Sequence, residues 1–379
     1  MIALTIAFWA SVTLIVHTHV TYPLSLALLA SFRHRKSKAA VKSADTPFVS
    51  LIIAAHDEES VIERRVRNAL ETDYPRELFE VIVASDGSRD RTAELARAAG
   101  ADVVLDLPRR GKVEAQNAAV AEARGEILAF SDANTAWEPG ALRLLVAAIA
   151  EPGVGYVCGQ LLLTGATGEN QEGAYWRYEM AVRSLESRLG GVTAGNGAIY
   201  AVRRDSYVVM PSDRSHDLCL PYLTVKAGRR AVYESAARAS EPVATTLGGE
   251  WERKRRMMNR AWGIILHDGI LSPRGYGLMY VYEILSHRAL RYATPFLHVV
   301  ALGVNIVLLG EGTAYVVTLA AQLALLAGAA LARFIPALPF RIAAYYVTVT
   351  ASIAAGLFDR IRHGPAKTWE PAEGTRQAT

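Results

Sequence analysis

The chain has 379 residues, of which 51% are hydrophobic, and its mean hydropathy is +0.16. That length could hold two soluble domains, but the hydropathy is high for a purely soluble protein and predicts that part of the chain lies in lipid. The net charge of +4 does not indicate a nucleic-acid partner, because the basic residues cluster beside apolar runs and form no stripe interleaved with aromatic residues. The two cysteines, Cys158 and Cys219, lack metal-type spacing and fit a reducing compartment.

The first predicted element is a membrane-spanning helix at residues 1–32. The segment is almost uncharged, is long enough to cross a bilayer and precedes basic residues that the positive-inside rule assigns to the cytoplasm. These basic residues are Arg33, His34, Arg35, Lys36 and Lys38. A cleaved signal peptide, the alternative, would carry its positive charge before the apolar run. We therefore expect an anchor with its amino terminus outside, followed by a polar linker at residues 33–47.

Residues 48–270 are predicted to form a cytoplasmic α/β domain with a mostly parallel central sheet. A short β-branched run at residues 49–54 is typical of a parallel strand that is buried on both faces. Ser60-Val61-Ile62-Glu63 matches a capping box, so the next helix is expected to begin near Ser60. Strands and helices then alternate, which favours a sheet with helices on both faces. Further strands are predicted at residues 80–84, 102–105, 127–130, 156–163 and 198–202, and helices at residues 91–99, 113–123, up to 150 and 172–189.

Polar side chains follow three of the predicted strands, at the edge where open α/β sheets bind their ligands. The segments are His56-Asp57-Glu58-Glu59, Asp86-Gly87-Ser88 and Asp132-Ala133-Asn134. A single carboxylate after a strand often caps the next helix, and capping is the alternative for Asp57 and Asp90. Three such segments in series indicate a ligand that carries phosphate.

Two common nucleotide-binding motifs are absent from the sequence. Residues 54–60 contain no glycine, which disfavours a dinucleotide-binding turn after the first strand. Arg110-Gly111-Lys112 lacks the preceding glycine and the following Ser or Thr of a P-loop. The remaining interpretation is a nucleotide diphosphate held through a divalent cation and basic side chains.

The chain resembles the membrane-bound family 2 glycosyltransferases with a GT-A fold, a superfamily that includes cellulose synthase and poly-N-acetylglucosamine synthase. The resemblance covers about residues 48–266, with apolar segments on either side, and its motifs follow the family's order. The matching motifs are Ala54-Ala55-His56-Asp57-Glu58, residues 84–90, Arg110-Gly111-Lys112, residues 130–135, Tyr175-Trp176-Arg177-Tyr178-Glu179, residues 195–200, His216-Asp217 and residues 250–257.

For the donor side, the resemblance implies contacts with a UDP-linked sugar and with Mg²⁺ or Mn²⁺. The segment with Ala55, His56 and Glu58 would hold the base and ribose together with Asp86. The cation would be held by Asp132 and Asn134, whose hard oxygen ligands suit such ions. Because Asn134 stands where many relatives have a second Asp, the metal is expected to depend mainly on Asp132. Basic contacts to the diphosphate would come from Arg110, Lys112 and Arg256.

For the acceptor side, the resemblance implies that Asp217 is the catalytic base. A positioned carboxylate contributes typically 10²–10⁴-fold by removing the proton of an acceptor hydroxyl. The alternative is that Asp217 caps the helix that runs toward Lys226. His216 precedes it where an acidic residue is usual, which is expected to alter the pKa of the base. The acceptor pocket would be shaped by Trp176, for which packing is the alternative, and by Glu179, Gly195, Asn196 and Gly197.

The C-terminal part is predicted to return to the membrane. The basic stretch at residues 250–258 begins an amphipathic helix that can lie among lipid headgroups. Apolar runs at residues 292–309, 313–332 and 340–358 then predict about three spanning helices within residues 271–363, before a polar tail at residues 364–379. The last run ends in basic residues on the side that the charge rule assigns to the outside, so a re-entrant or interfacial segment is the alternative there.

These features together predict a multi-pass inner-membrane enzyme with a cytoplasmic catalytic domain. It would be an inverting glycosyltransferase that moves a sugar to a polysaccharide or lipid-linked acceptor of an envelope or extracellular glycan. Asn259-Arg260-Ala261-Trp262 matches only part of the Gln-x-x-Arg-Trp signature of cellulose and hyaluronan synthases, which argues against processive synthesis. The alternative function is an inactive membrane scaffold or partner subunit that retains the nucleotide-binding fold.

Overall fold

The computed structural model describes residues 1–33, 46–164, 171–242, 247–335 and 337–365. Most of the linker predicted at residues 33–47 and of the tail predicted at residues 364–379 lies outside these ranges. Of the basic cluster after the first apolar run, only Arg33 lies inside them.

A mixed sheet of eight strands forms the centre of the described α/β domain. Its strands are β1 (Val49–Ala55), β2 (Phe79–Asp86), β3 (Val103–Leu107), β4 (Ile127–Asp132), β5 (Ala136–Trp137), β6 (Val154–Thr164), β7 (Tyr200–Arg203) and β8 (Arg230–Pro242). Their spatial order is β3-β2-β1-β4-β7-β6-β8-β5. The pairs β3/β2, β2/β1 and β1/β4 are parallel, and so is the pair β6/β8. The strand β7 is antiparallel to both of its neighbours, and β5 is antiparallel to β8. The predicted α/β fold is confirmed, with a parallel first half and a mixed second half.

Helices cover both faces of the sheet and continue into the apolar ends of the chain. They are α1 (Ile2–Val16), α2 (Tyr22–Ser31), α3 (Ile62–Leu70), α4 (Thr92–Ala98), α5 (Lys112–Glu122), α6 (Ala141–Ile149), α7 (Gln171–Leu189), α8 (His216–Lys226), α9 (Leu247–His267), α10 (Leu278–Glu283), α11 (Leu290–Val307), α12 (Thr313–Leu331) and α13 (Leu338–His363). Short π-helical turns at His17–Thr21 and Ile284–Ala289 connect α1 to α2 and α10 to α11.

The alternation of side chains along β1 divides the core into two layers. Leu51 and Ile53 pack with α3 and α6 on one face. Ile52 packs with α5, α8 and α9 on the other. Every residue of β1 is buried, as expected for a parallel strand between two helical layers. The sheet edge at the carboxyl ends of β1, β2 and β4 therefore stays open between these layers.

The helix predicted near Ser60 is present as α3, but the capping box predicted at its start is wrong. The helix begins at Ile62, with Val61 at the capping position, and the residues that the structure describes supply no capping side chain there. The amides of Val61 and Ile62 instead donate to the backbone oxygen of Glu58, at 3.0 and 2.9 Å. This backbone turn replaces the capping box and draws Glu58 toward the helix.

Four helical segments of the described chain are long and apolar enough to cross a membrane, judged by length and composition. They are Ile2–Ser31, Leu278–Val307, Thr313–Leu331 and Leu338–His363. Each of the four predicted apolar runs corresponds to one of these segments. The segment that contains the run predicted at residues 292–309 begins earlier, at Leu278. Large apolar side chains such as Leu24, Val299 and Val317 are exposed on these helices, as lipid-facing surfaces would be.

The predicted interfacial helix corresponds to α9, which packs against α13. The indole of Trp262 donates to the backbone oxygen of Ile353 at 2.7 Å, and Arg255 forms an ion pair with Asp359. Gly356 makes this contact close, since a Cβ there would lie 2.5 Å from the Cβ of Met258 and 2.8 Å from the amide of Asn259. The domain is thus joined to the last apolar helix by backbone proximity as well as by charge.

Candidate functional site

The parallel pairing of β1, β2 and β4 brings the three predicted polar segments to one edge of the sheet. Ala54 lies opposite Asp132 on one side of β1, and Ala55 lies opposite Ser85 on the other. Ala55 is the last residue of β1, Asp86 the last of β2 and Asp132 the last of β4. The side chains that follow these strands therefore converge, as their position in the sequence predicts.

Asp86 anchors the loop that carries Arg110 and Lys112. Its carboxylate accepts the amide of Arg110 at 2.7 Å and that of Gly111 at 2.9 Å, and it is buried. Gly111 has a φ of +102°, a conformation that side-chain-bearing residues rarely adopt. Lys112 then opens α5. Asp86 thereby places a basic segment at the edge of the sheet, beside β4.

His56 and Glu58 are both buried beside this anchor. The ring Nδ1 of His56 lies 2.7 Å from the backbone oxygen of Asp86, and the amide of Glu58 donates to the hydroxyl of Thr92 at 2.8 Å. Asp57 accepts the amide of Arg89 at 2.7 Å, while Asp90 accepts those of Thr92 and Glu59, both at 3.0 Å. Asp90 therefore accepts an amide at the start of α4, as the capping alternative expects, whereas Asp57 joins two loops.

Lys112 and Asp132 form an ion pair at the centre of the site. Both side chains are about one-fifth exposed. The segment Gly195-Asn196-Gly197, the glycine-rich turn, covers the pair, because a Cβ on Gly197 would lie 3.3 Å from Nζ of Lys112 and 3.5 Å from Oδ2 of Asp132. The predicted donor triplet and the predicted acceptor turn thus meet at this ion pair.

Glu241, at the end of β8, belongs to the site but was not predicted. Its Oε1 accepts the side-chain amide of Asn134 at 3.0 Å. Burial, and then the negative charge of Asp132, raise the pKa of Glu241 to about 7. Two carboxylates and one amide therefore lie together. A strand prediction for residues 230–242 would have revealed Glu241, but this alanine- and serine-rich stretch has no β-branched run.

The oxygen ligands near Asp132 suit a hard divalent cation. Asp132, Glu241 and the carbonyl of Asn134 offer the carboxylate and amide oxygens that Mg²⁺ and Mn²⁺ accept. Among the described residues, no group of three or more His, Cys, Asp or Glu side chains is arranged to hold a metal by itself. A cation bound here would therefore complete its coordination with water or with phosphate oxygens of a ligand.

Asp217 lies in the first turn of α8, beneath the glycine-rich turn. Its backbone oxygen accepts the amide of Gly195 at 2.7 Å. Its carboxylate is half-buried and caps no amide of α8 within the described ranges. Burial lowers the pKa of Arg260 on α9, while the nearby negative charge of Asp217 opposes this and the positive charge of Arg256 adds to it. Asp217 thus lies near Arg260 of α9.

His216 is directed away from Asp217 into the core. Its Nδ1 lies 2.8 Å from the hydroxyl of Tyr200, and its Nε2 lies 3.3 Å from that of Tyr207. Burial, with a smaller contribution from Lys112, lowers the pKa of His216 to about 3. The ring is therefore neutral near pH 7 and packs as an aromatic side chain.

Most of the predicted acceptor-side residues make structural contacts. Asn196 is buried and organises the glycine-rich turn, because its Oδ1 accepts the amide of Ile199 at 2.9 Å and its Nδ2 donates to the oxygen of Gly159 at 2.8 Å. A Cβ on Gly195 would collide with the hydroxyl of Tyr156. Trp176 packs on the core and donates to the oxygen of Leu161 at 2.6 Å. This agrees with the packing alternative for Trp176.

Glu179 joins α7 to the apolar helices. It pairs with Arg291 of α11 at 2.5 Å, and although burial raises its pKa, the charge of Arg291 holds that pKa well below its usual value. About two helical turns further along α7, Glu186 accepts a hydrogen bond from the hydroxyl of Tyr22 at 2.7 Å and contacts His287 at 2.6 Å. Buried ion pairs and hydrogen bonds therefore fix α7 to the first and second apolar segments.

The fold is that of a GT-A glycosyltransferase. It matches a solved mannosyltransferase from Pyrobaculum calidifontis, in complex with GDP-Man and Mn²⁺, with a TM-score of 0.69 over 94% of this chain and 99% of that one, at 23% identity. At that identity the similarity establishes the fold.

Residues 50–209 match the protein family Glycosyl transferase family 2. The chain is 30% identical over 220 residues to a β-monoglucosyldiacylglycerol synthase of Trichormus variabilis, an alignment that covers 54% of this chain and 46% of the relative. It is 24% identical over 232 residues to a poly-β-1,6-N-acetyl-D-glucosamine synthase of Staphylococcus aureus, over 58% and 56% of the two chains. The chain thus spans about half the length of these relatives. It contains a family 2 glycosyltransferase domain, as the motifs predict.

Proposed function

We propose that this protein is an inverting glycosyltransferase that uses a nucleotide diphosphate sugar at a membrane surface. The observation that carries the proposal is the convergence of Asp132, Lys112 and Gly197 at the strand ends, with Asp217 held beneath the same turn. The family domain supports this chemistry. Asp132 and Lys112 would contact a metal-bound diphosphate on one side of the glycine-rich turn. Asp217 would offer its carboxylate to the acceptor on the other side.

On the donor side, Asp132, Asn134 and Glu241 would hold Mg²⁺ or Mn²⁺ together with the diphosphate. When bound, the cation neutralises the negative charge that develops on the leaving nucleotide diphosphate. Lys112 would exchange its contact with Asp132 for one with a phosphate oxygen. Arg110 and Arg256 are the further basic contacts, and His56, Glu58 and Asp86 order the loops on which base and ribose would lie. A UDP-linked donor is our proposal, and the GDP-Man of the structural relative makes a GDP-linked donor the competing one.

On the acceptor side, Asp217 would take the proton of an acceptor hydroxyl. The freed oxygen attacks the anomeric carbon as the bond from that carbon to the diphosphate oxygen breaks, which inverts the configuration. Arg260 supplies a positive charge close to this carboxylate. General base catalysis of this kind contributes typically 10²–10⁴-fold.

The acceptor is proposed to be lipid-linked or a growing glycan, approached from the membrane. The four apolar segments support this. The buried ion pair between Glu179 and Arg291 supports it as well, because it holds α7 against the second of these segments. We place the protein in the cell inner membrane with its catalytic domain in the cytoplasm, following the charge distribution of the sequence. Product size separates the two acceptors, since only polymer synthesis gives a ladder.

The test is a donor screen with the full chain in nanodiscs, measuring release of UDP or GDP from their sugars with Mg²⁺ and with Mn²⁺. Asp217→Asn is expected to lose transfer by about 10²-fold or more while it still binds the nucleotide. Asp132→Ala is expected to lose metal-dependent nucleotide binding. Asp205→Asn, which removes a carboxylate exposed to solvent, is the control and is expected to match the unmodified protein. Full transfer by both site variants would overturn the assignment, and an inactive scaffold would release no nucleotide from any donor.

A further inference from the structure

A cavity of about 160 Å³ lies between α3 and the loop that follows β4. Polar groups from four elements line it, namely Arg64, Arg65 and Asn68 of α3, Asn134 and Thr135 of the loop, Thr164 of β6 and Ser240 of β8. A cavity of about 150 Å³ is large enough for a molecule of benzene's size. The space therefore suits a small ligand group with polar atoms.

Arg65 brings a buried positive charge to this cavity, which the negative charge of nearby Asp132 offsets only in part. It is 2% exposed, and its Nε and Nη1 donate to Ser131 at 3.0 Å and Asn68 at 2.8 Å. Its Nη2 is buried without a hydrogen-bond partner. In the part of the chain that the structure describes, no carboxylate forms an ion pair with it. Burial lowers the pKa of Arg65 only to about 9, so the guanidinium stays charged near pH 7.

Thr135 adds a second donor with no partner. It is also 2% exposed, and its hydroxyl oxygen is buried and makes no hydrogen bond within the described residues. A buried charge and a buried hydroxyl that lack partners are both unfavourable, and their usual complement is a ligand or an ordered water. Because one of the two is a cation, the complement is expected to be negative.

The lining carries no carboxylate that would oppose an anion. Side chains alternate along a strand, so Ser240 and Pro242 of β8 line the cavity, whereas Glu241 between them turns toward Asn134. Asp132 likewise faces Lys112 and Gly197 and not the cavity. Guanidinium groups therefore line the cavity itself, while the carboxylates of Asp132 and Glu241 lie beside it and are paired with Lys112 and Asn134.

We propose that this cavity is a pocket for an oxyanion, and, resting on the proposed function, that the oxyanion is the acid group of an acidic donor sugar. Asn134 forms part of the cavity wall and is next but one to Asp132, so the pocket adjoins the place where the diphosphate would be held. One oxygen of a carboxylate can accept from the free Nη2 of Arg65, and its other oxygen can accept from the hydroxyl of Thr135. Free inorganic phosphate offers the same chemistry and is the other source.

The first experiment measures oxyanion binding without any nucleotide. Sodium phosphate, sodium glucuronate and uncharged glucose are titrated by calorimetry into the full chain in nanodiscs. We expect both anions to bind and glucose not to bind. Arg65→Met should weaken anion binding by about tenfold or more, and the conservative Thr135→Val by severalfold. Arg67→Met is the matched control, because Arg67 is exposed on the same helix and lies outside the cavity, and it should change nothing.

The proposal of a pocket is overturned if the unmodified protein binds neither anion, or if both Arg65→Met and Thr135→Val bind them as tightly as the unmodified protein. Thr135→Val removes no existing contact, so it keeps the test valid should Arg65→Met unfold. Unfolding is monitored by the thermal midpoint of each variant.

The second experiment identifies the source of the oxyanion. Binding of UDP-glucuronate, UDP-glucose and UDP is compared with Mn²⁺ present, and the series is repeated with GDP-linked sugars. We expect the acidic donor to bind more tightly than the neutral one, with Arg65→Met reducing this preference about tenfold and leaving binding of the bare nucleotide diphosphate unchanged. Equal affinity for the two donors overturns the assignment to the donor sugar. If no nucleotide binds but the anions do, in an Arg65-dependent manner, the proposed function fails while the oxyanion pocket stands.

Discussion

At the scale of single residues, the second carboxylate of the proposed cation site comes from β8, which is far along the chain from the motif at residues 132–134. Asp132-Ala133-Asn134 supplies one carboxylate and one amide, and the second carboxylate comes from Glu241, 107 positions beyond Asn134. The amide of Asn134 donates to Glu241, which leaves the carbonyl oxygen of Asn134 available to a cation. The motif is therefore completed by folding and not by neighbouring residues.

Glu241→Gln is expected to weaken Mn²⁺ binding in the presence of a nucleotide diphosphate by about tenfold or more, as losses of metal-site partners commonly do. The substitution keeps the shape of the side chain and removes its charge. Electron paramagnetic resonance of free Mn²⁺ measures the effect directly. Glu138→Gln, an exposed change on the next loop, is the control. Unchanged Mn²⁺ affinity in Glu241→Gln would show that Glu241 is no part of the cation site.

The buried ring of His216 predicts a loss of stability in acid. Its pKa is about 3 in the folded protein against 6.5 when unfolded, so below about pH 6.5 the unfolded chain takes up the proton first and stability falls. At pH 5 the loss from this group is about 2 kcal/mol. His216→Gln should remove that part of the difference in unfolding midpoint between pH 7.5 and pH 5, whereas His267→Gln, exposed at the end of α9, should not. An identical pH dependence in all three proteins would refute this assignment.

At the scale of elements, α9 and α13 pack closely against each other. Gly356 lets the two backbones approach, and Trp262 and Arg255 then reach Ile353 and Asp359. The helix that carries Arg256 and Arg260 toward the site is therefore positioned by the last apolar helix. Its basic residues are aligned by packing in addition to any contact with lipid.

Gly356→Ala should lower the stability of the full chain by about 1–3 kcal/mol, because the added methyl group overpacks the contact with Met258 and Asn259. The thermal midpoint in nanodiscs measures the change. Gly303→Ala is the matched control, since a Cβ at Gly303 on α11 meets nothing within 4 Å of the described structure. Equal midpoints for the two variants would contradict the close contact.

At the scale of the whole molecule, two of the contacts within the described residues show how the α/β domain is attached to the apolar helices. One is the contact of α9 with α13. The other is the buried cluster in which Glu179 and Glu186 of α7 meet Arg291, His287 and Tyr22. With attachments on both sides, the domain and the apolar helices are expected to behave as one cooperative unit.

Removing either partner of the pair between Glu179 and Arg291 should destabilise the protein by about 3 kcal/mol or more, since a buried charge is then left without its counter-ion. Arg291→Met combined with Glu179→Gln should cost less than the sum of the two single changes. Unfolding of the four proteins in a double-mutant cycle measures the coupling. The exposed pair of Glu63 and Arg67, for which the cycle should give less than about 1 kcal/mol, is the reference. Strict additivity at Glu179 and Arg291 would refute the coupling.

The sequence predicts the parts of this molecule that depend on local pattern. The strands β1 to β4, the three polar segments after them and the four apolar helices all follow from periodicity and composition. Glu241 was missed because β8 lacks a strand-like run of residues. Arg65 was missed for a different reason: Arg64, Arg65 and Arg67 look alike in the sequence, and only the rotation of α3 decides which of them is buried.

In the proposed sugar transfer, the ion pair between Lys112 and Asp132, covered by Gly197, affects the order in which metal and donor bind. The ammonium group already balances the aspartate, so a free divalent ion that enters alone must compete with a charge that belongs to the protein. A cation that arrives already complexed with its nucleotide offers Lys112 a phosphate in exchange. Lys112 therefore competes with a free divalent ion for Asp132. We expect metal and donor to bind together rather than one after the other.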